Sequence, residues 1–105
     1  MQSSGTPSFD AILDELAAMH AKKNKDYGRA TDPYANVRGS QEWGIPPWVG
    51  AMVRATDKVK RLQKFAQTGS LENEGVEDSL IDLAVYALIA LDLYREQGQP
   101  RKETV

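Results

Sequence analysis

Glu74, Asp78 and Asp82 fall at i, i+4 and i+8. On a helix each lies only about 40° around from the last, so the three form one acidic stripe. Like charges at this spacing cost a helix roughly 0.2–0.5 kcal/mol per pair, and the stripe therefore needs a cause. The helix dipole favours acids in a first turn, which accounts for Glu74, Glu77 and Asp78. It does not account for Asp82, more than two turns in and set among Leu80, Ile81, Leu83 and Ala84. A carboxylate in an apolar segment stays charged only when it is paired, hydrogen-bonded or metal-bound. Two readings stand: Asp82 is a metal ligand, or it is the partner of an arginine on the preceding helix.

Carboxylates without neighbouring His or Cys suit a hard cation, Mg²⁺ or Mn²⁺, better than zinc. Mg²⁺ takes one or two carboxylates and completes its shell with water and substrate phosphates, so a phosphate-bearing substrate follows. Asp57 is a further ligand on this reading, while Arg54, Lys58 and Arg61 around it face the phosphates. Asp57 and Arg61 are equally an ordinary i, i+4 surface pair. The segment Lys22-Lys23-Asn24-Lys25-Asp26-Tyr27-Gly28 is basic and carries an aromatic ring. It suits phosphate binding with a base stacked on Tyr27, though lysines there also complement a helix C-terminus. His20, the only histidine, has no nucleophile in a triad arrangement and reads as a packing residue. Trp43 and Trp48 read as core anchors.

The elements that must position these residues are helical. Phe9, Ile12, Leu13, Leu16 and Met19 recur at three- and four-residue steps after Thr6 or Ser8 as N-cap, giving a first helix that ends near Asn24. Asp32-Pro33, Gly39, Gly44 and Pro46-Pro47 then break the pattern over about 20 residues, longer than a structural connection usually needs. Tyr34, Trp43 and Trp48 are expected to fold part of it onto the helices. A second helix starts at Pro47 and runs to about Gln67, before Gly69. Its apolar stripe is Trp48, Met52, Ala55, Val59, Leu62 and Ala66, with Arg54, Asp57, Lys58 and Arg61 opposite. A third, capped by Asn73 or Ser70, continues to about Gln97, where Gly98 and Pro100 stop it. It is apolar almost all round from Leu80 to Leu91, a pattern that demands burial on more than one side. The fold class is all-α, three main helices with a long first connection. Three helices this small cannot cover the last one, so a bundle completed by homo-oligomerisation, a dimer or tetramer, is expected.

Composition agrees. A chain of 105 residues with 41% hydrophobic content supports one domain, residues 1–105, with 1–7 frayed. A net charge of −2 gives no general pull toward nucleic acid or an anionic membrane. The absence of cysteine excludes disulfides, thiolate metal sites and Cys nucleophiles, and a cytoplasmic location is the default expectation. No apolar stretch reaches the roughly 20 residues of a membrane span.

Lys25-Asp26-Tyr27, the run Asp32-Pro33-Tyr34-Ala35-Asn36-Val37-Arg38, then Arg54, Asp57-Lys58 and Arg61, then Glu74 with Asp78-Ser79-Leu80-Ile81-Asp82-Leu83-Ala84-Val85-Tyr86 together resemble the small phage-encoded proteins described as MazG-like or nucleotide-modification-associated. The resemblance spans about Lys22 to Leu93. Such all-α nucleoside triphosphate pyrophosphohydrolases place an ExxE pair on one helix and an ExxD signature on a later one. Those acids hold Mg²⁺ while water attacks between phosphates. By position, Asp78 and Asp82 match the later signature, and Asp57 is the only acid where the ExxE helix should be.

The resemblance implies a Mg²⁺-dependent nucleotide pyrophosphohydrolase in the host cytoplasm. In it Asp57, Asp78 and Asp82 hold metal, Glu74 orients water, and Arg54, Lys58 and Arg61 stabilise phosphate charge. Lys25, Tyr27, Asn36 and Arg38 contact the nucleotide. The missing ExxE pair leaves a second reading open, a non-catalytic helical oligomer that binds a nucleotide or a protein partner.

Overall fold

The structure is a computed structural model that describes residues 4–23, 34–70 and 75–98. Most of these residues are helical and no strand occurs among them, as the periodicity requires. The chain divides into two compact units, Met1–Pro33 and Tyr34–Val105.

The first unit is built on α1, Pro7–Lys23. Pro7 suits an N1 position, where its missing N–H costs nothing. The Thr6 carbonyl accepts the first helical bond from the Asp10 amide at 3.0 Å. The Asp10 carboxylate in turn accepts the Ser4 backbone N–H, so the chain entering the helix is held to its first turn. Leu16 is buried, His20 is half-buried, and Phe9 and Ile12 remain exposed.

The second unit opens with two short pieces inside the expected connection: α2, Ala35–Arg38, and a 3₁₀ turn, Gly39–Trp43. The segment that Gly and Pro punctuation marks as broken thus carries helical turns, because its side chains close it. Ser40 Oγ donates to the Ile45 carbonyl at 3.0 Å, and the turn exits through Gly44 in the left-handed region, φ 77. Trp43, expected as an anchor, is 84% exposed. The anchor is Trp48, whose ring meets Tyr94 edge-on with centroids 5.6 Å apart.

α3, Pro47–Thr68, begins with proline at its first position and stops at Gly69. Gly69 takes φ 79 and donates its N–H to the Phe65 carbonyl at 2.7 Å, the left-handed stop that glycine adopts without a Cβ penalty. α4 covers Val76–Glu96. Its N-cap is Gly75, not Asn73 or Ser70, because the extended backbone at Gly75 (φ −76, ψ 165) delays the first helical residue. Glu77 and Asp78 then occupy the first turn, where carboxylates complement the exposed N–H groups without a side-chain cap.

The two long helices pack antiparallel. Trp48 meets Tyr94, Arg54 meets Tyr86 and Lys58 meets Asp82, so numbering rises on α3 as it falls on α4. The residues between them are small: Ala51, Ala55 and Ser79 are at most 1% exposed, and Ala90 is also buried. Small side chains at the contact let the helix axes approach closely. Val37 joins Ala51, Ala90 and Leu93 in the core, with Tyr34, Trp48 and Ile89 packed against it. Among the described residues no helix is long and apolar enough to cross a membrane.

Candidate functional site

Arg54, Lys58 and Arg61 lie at i, i+4 and i+7 on α3 and therefore share one flank. Sequence periodicity sets that flank opposite the packed stripe. In the structure it borders α4 instead, because the packed face centres on Ala51 and Ala55, while Met52 and Val59 turn outward. Arg61 and Lys58 are half-buried as a result.

Three consecutive rungs follow from the antiparallel register. Arg54 Nε donates to the Tyr86 hydroxyl at 3.4 Å. One turn further along α3, Lys58 Nζ lies 3.1 Å from Asp82 Oδ2. At the next turn the buried Nε of Arg61 approaches the level of Ser79, which is wholly inaccessible to solvent. This polar edge runs along one side of the helix pair, and the Trp48–Tyr94 contact marks the other.

Asp82 has the partner its apolar neighbours demand, and that partner is Lys58, not an arginine. The choice is geometric. Arg54 sits a turn too early and reaches Tyr86, whereas Lys58 stands level with Asp82. The two side chains are 20% and 29% exposed, so solvent screens the pair and it is worth about 1 kcal/mol or less.

Of the other expected metal ligands, Asp57 and Asp78 are exposed, one on each helix. Among the described residues no three His, Asp or Glu side chains converge as a metal-binding group. Asp78 and Asp82 stand one helical turn apart on α4, and two carboxylates are a donor set of the chemistry that a hard cation takes. Glu74, Lys25 and Tyr27 lie outside the described residues. Asn36 belongs to α2.

Arg38, expected at the nucleotide, is engaged elsewhere. Its guanidinium makes a forked bond to Glu96, Nη1 to Oε1 at 2.6 Å and Nη2 to Oε2 at 3.1 Å. One turn earlier the Tyr34 hydroxyl donates to Asp92 Oδ2 at 2.7 Å. Both bonds join residues 58 apart, so α2 runs parallel to the end of α4 and is clamped at two successive turns, with Val37 buried beneath. Tyr34 folds the connection onto α4 as its aromatic side chain led one to expect, whereas Tyr86, Asp92 and Glu96 are polar residues that sequence reasoning missed. Only their i, i+4 spacing within each segment hinted at a shared face.

Comparison of the chain with family models, with curated proteins and with solved structures returned no match.

Proposed function

We propose that this protein binds a nucleotide through its phosphates at the polar edge between α3 and α4, assisted by Mg²⁺ or Mn²⁺, and hydrolyses it in the manner of the MazG-like pyrophosphohydrolases. The observation that carries the reading is the juxtaposition of three α3 cations, Arg54, Lys58 and Arg61, with the α4 carboxylates Asp82 and Asp78 along one edge. A polyphosphate with its metal is the ligand class that uses both signs of charge at once.

The weak Lys58–Asp82 pair suits this use. A partly exposed lysine on a flexible stem exchanges a carboxylate for a phosphate at little cost, freeing the carboxylate. Asp78 and Asp82 would hold the cation, which when bound neutralises phosphate charge and lowers the pKa of water. Arg54 and Arg61 would fix the phosphate oxygens, and Glu74 would orient water. Self-association, as a homodimer or a larger bundle, belongs to the same reading.

A second reading, nucleotide binding without turnover, is favoured by one specific observation: Asp82 is ion-paired, and no acidic triad forms among the described residues. Incubating the protein with a panel of ribo- and deoxyribonucleoside triphosphates and Mg²⁺ separates the two. Release of pyrophosphate, abolished by Asp82→Asn, is the expected outcome. Binding without release would select the non-catalytic reading, and no binding at all would sink both.

A further inference from the structure

α4 faces α3 through Ser79, Asp82, Tyr86, Ala90 and Leu93. Its other side is also apolar and lies open: Leu80, Leu88 and Leu91 are 51%, 54% and 44% exposed. Leu80, Ala84, Ala87 and Leu91 repeat at steps of four, three and four, the seam spacing with which one helix packs along another. Monomeric proteins rarely leave so regular an apolar row uncovered.

The charges at the ends of this row decide what covers it. Glu77 and Arg95 are 18 residues apart, which is five full turns, so both stand on the same side of α4, separated by about 27 Å along its axis. Both are exposed, and neither forms an ion pair among the described residues. A parallel copy of α4 would set Glu77 against Glu77 and Arg95 against Arg95. An antiparallel copy sets Glu77 against Arg95 at both ends. Shifted by one residue, about 1.5 Å along the axis, that alignment places Leu80 against Leu91 of the second copy and Ala84 against Ala87, so that the smallest side chains meet at the centre and the leucines close over them. The flexible Glu and Arg side chains span that one-residue offset, so one antiparallel alignment serves the charges and the apolar row together.

We infer that two copies of this chain associate through α4, antiparallel about a two-fold axis at the level of Ala84 and Ala87, with a Glu77–Arg95 pair at each end. The contact is isologous, as a closed dimer requires. It buries the side of α4 away from α3 and leaves the polar edge accessible. The inference rests on the self-association part of the reading above and is independent of nucleotide binding.

The chain has no cysteine, so thiols introduced by Glu77→Cys and Arg95→Cys report the contact without background. Under mild oxidation the doubly substituted protein is expected to form a covalent dimer through a disulfide between positions 77 and 95. Each single variant is expected to stay uncrosslinked, since its two thiols lie about 27 Å apart in the dimer. Sedimentation is expected to give a wild-type dimer at micromolar concentration, with the dissociation constant raised about tenfold or more by Ala87→Glu. Circular dichroism checks that the helices of this surface variant persist. Glu77→Arg or Arg95→Glu alone should weaken the dimer roughly three- to tenfold, and the two together should restore it. A wild-type monomer would overturn the inference and self-association together. A dimer indifferent to Ala87→Glu, with no 77–95 crosslink, would overturn this face while leaving self-association standing. Crosslinking of Glu77→Cys to itself would overturn the antiparallel arrangement.

Discussion

Lys58 and Asp82 carry most of the local chemistry, and their exposure determines what a substitution does. Were Asp82 a fully buried partner, Asp82→Asn would strand a cation and cost roughly 3–5 kcal/mol. With the side chains 20% and 29% exposed, the stranded lysine rehydrates, and the expected loss is about 1 kcal/mol or less. Urea denaturation of both proteins in EDTA checks this. A loss of 3 kcal/mol or more would show the pair to be far better shielded than its exposure indicates. Asp82's need of a partner was legible from Leu80, Ile81, Leu83 and Ala84 alone. Which cation meets it was not, because Arg54, Lys58 and Arg61 share a flank and only the inter-helix register chooses among them.

The seating of the 34–43 segment on α3 depends on a missing side chain at the element scale. A Cβ on Gly50 would stand 2.7 Å from Ser40 Oγ, 2.8 Å from Ser40 Cβ and 2.9 Å from the Val37 carbonyl oxygen. Alanine in place of glycine inside a helix ordinarily gains about 1 kcal/mol. Here that gain is opposed by overpacking against the Ser40 side chain and the Val37 carbonyl, which costs about 1–3 kcal/mol, so Gly50→Ala is expected to destabilise by about 1 kcal/mol. Adding Ser40→Gly should recover part of the loss by removing two of the three close atoms. Denaturant midpoints of the single and double variants test this, and a stabilised Gly50→Ala would mean that the segment does not rest on α3. The helix ends at Pro47, Gly69 and Gly98 were legible because proline and glycine act through their own backbone. The helical turns between Tyr34 and Trp43 were not, since their closure uses Tyr34–Asp92 and Arg38–Glu96 bonds to residues 58 positions away.

Whole-molecule stability links to ligand through mass action, since any ligand that binds only the folded state raises Tm. On the proposed reading Mg²⁺ and nucleotide share phosphate oxygens, so the two together are expected to raise Tm by more than the sum of their separate shifts. Differential scanning fluorimetry with each ligand alone and with both measures the interdependence. Additive or absent shifts would remove the shared-phosphate site. Charge composition alone does not decide this, because a net charge of −2 conceals an edge where positive and negative groups are segregated onto facing helices.

Local chemistry by itself determined that the chain is helical, where α1 and α3 begin and where each long helix stops, because periodicity, proline and glycine act within a few residues of their own position. It also marked Asp82 as a residue in need of a partner and the last helix as apolar on more than one side. The tertiary structure alone decided the rotation of α3. Ala51 and Ala55 face α4, Lys58 comes level with Asp82, and Met52 and Val59 are left outside. The physical reason is that a stripe of large apolar residues and a stripe of small ones both satisfy helical periodicity. Close approach against Ser79 and Ala90 selects the small one, and that choice sets the polar edge on one side of the helix pair.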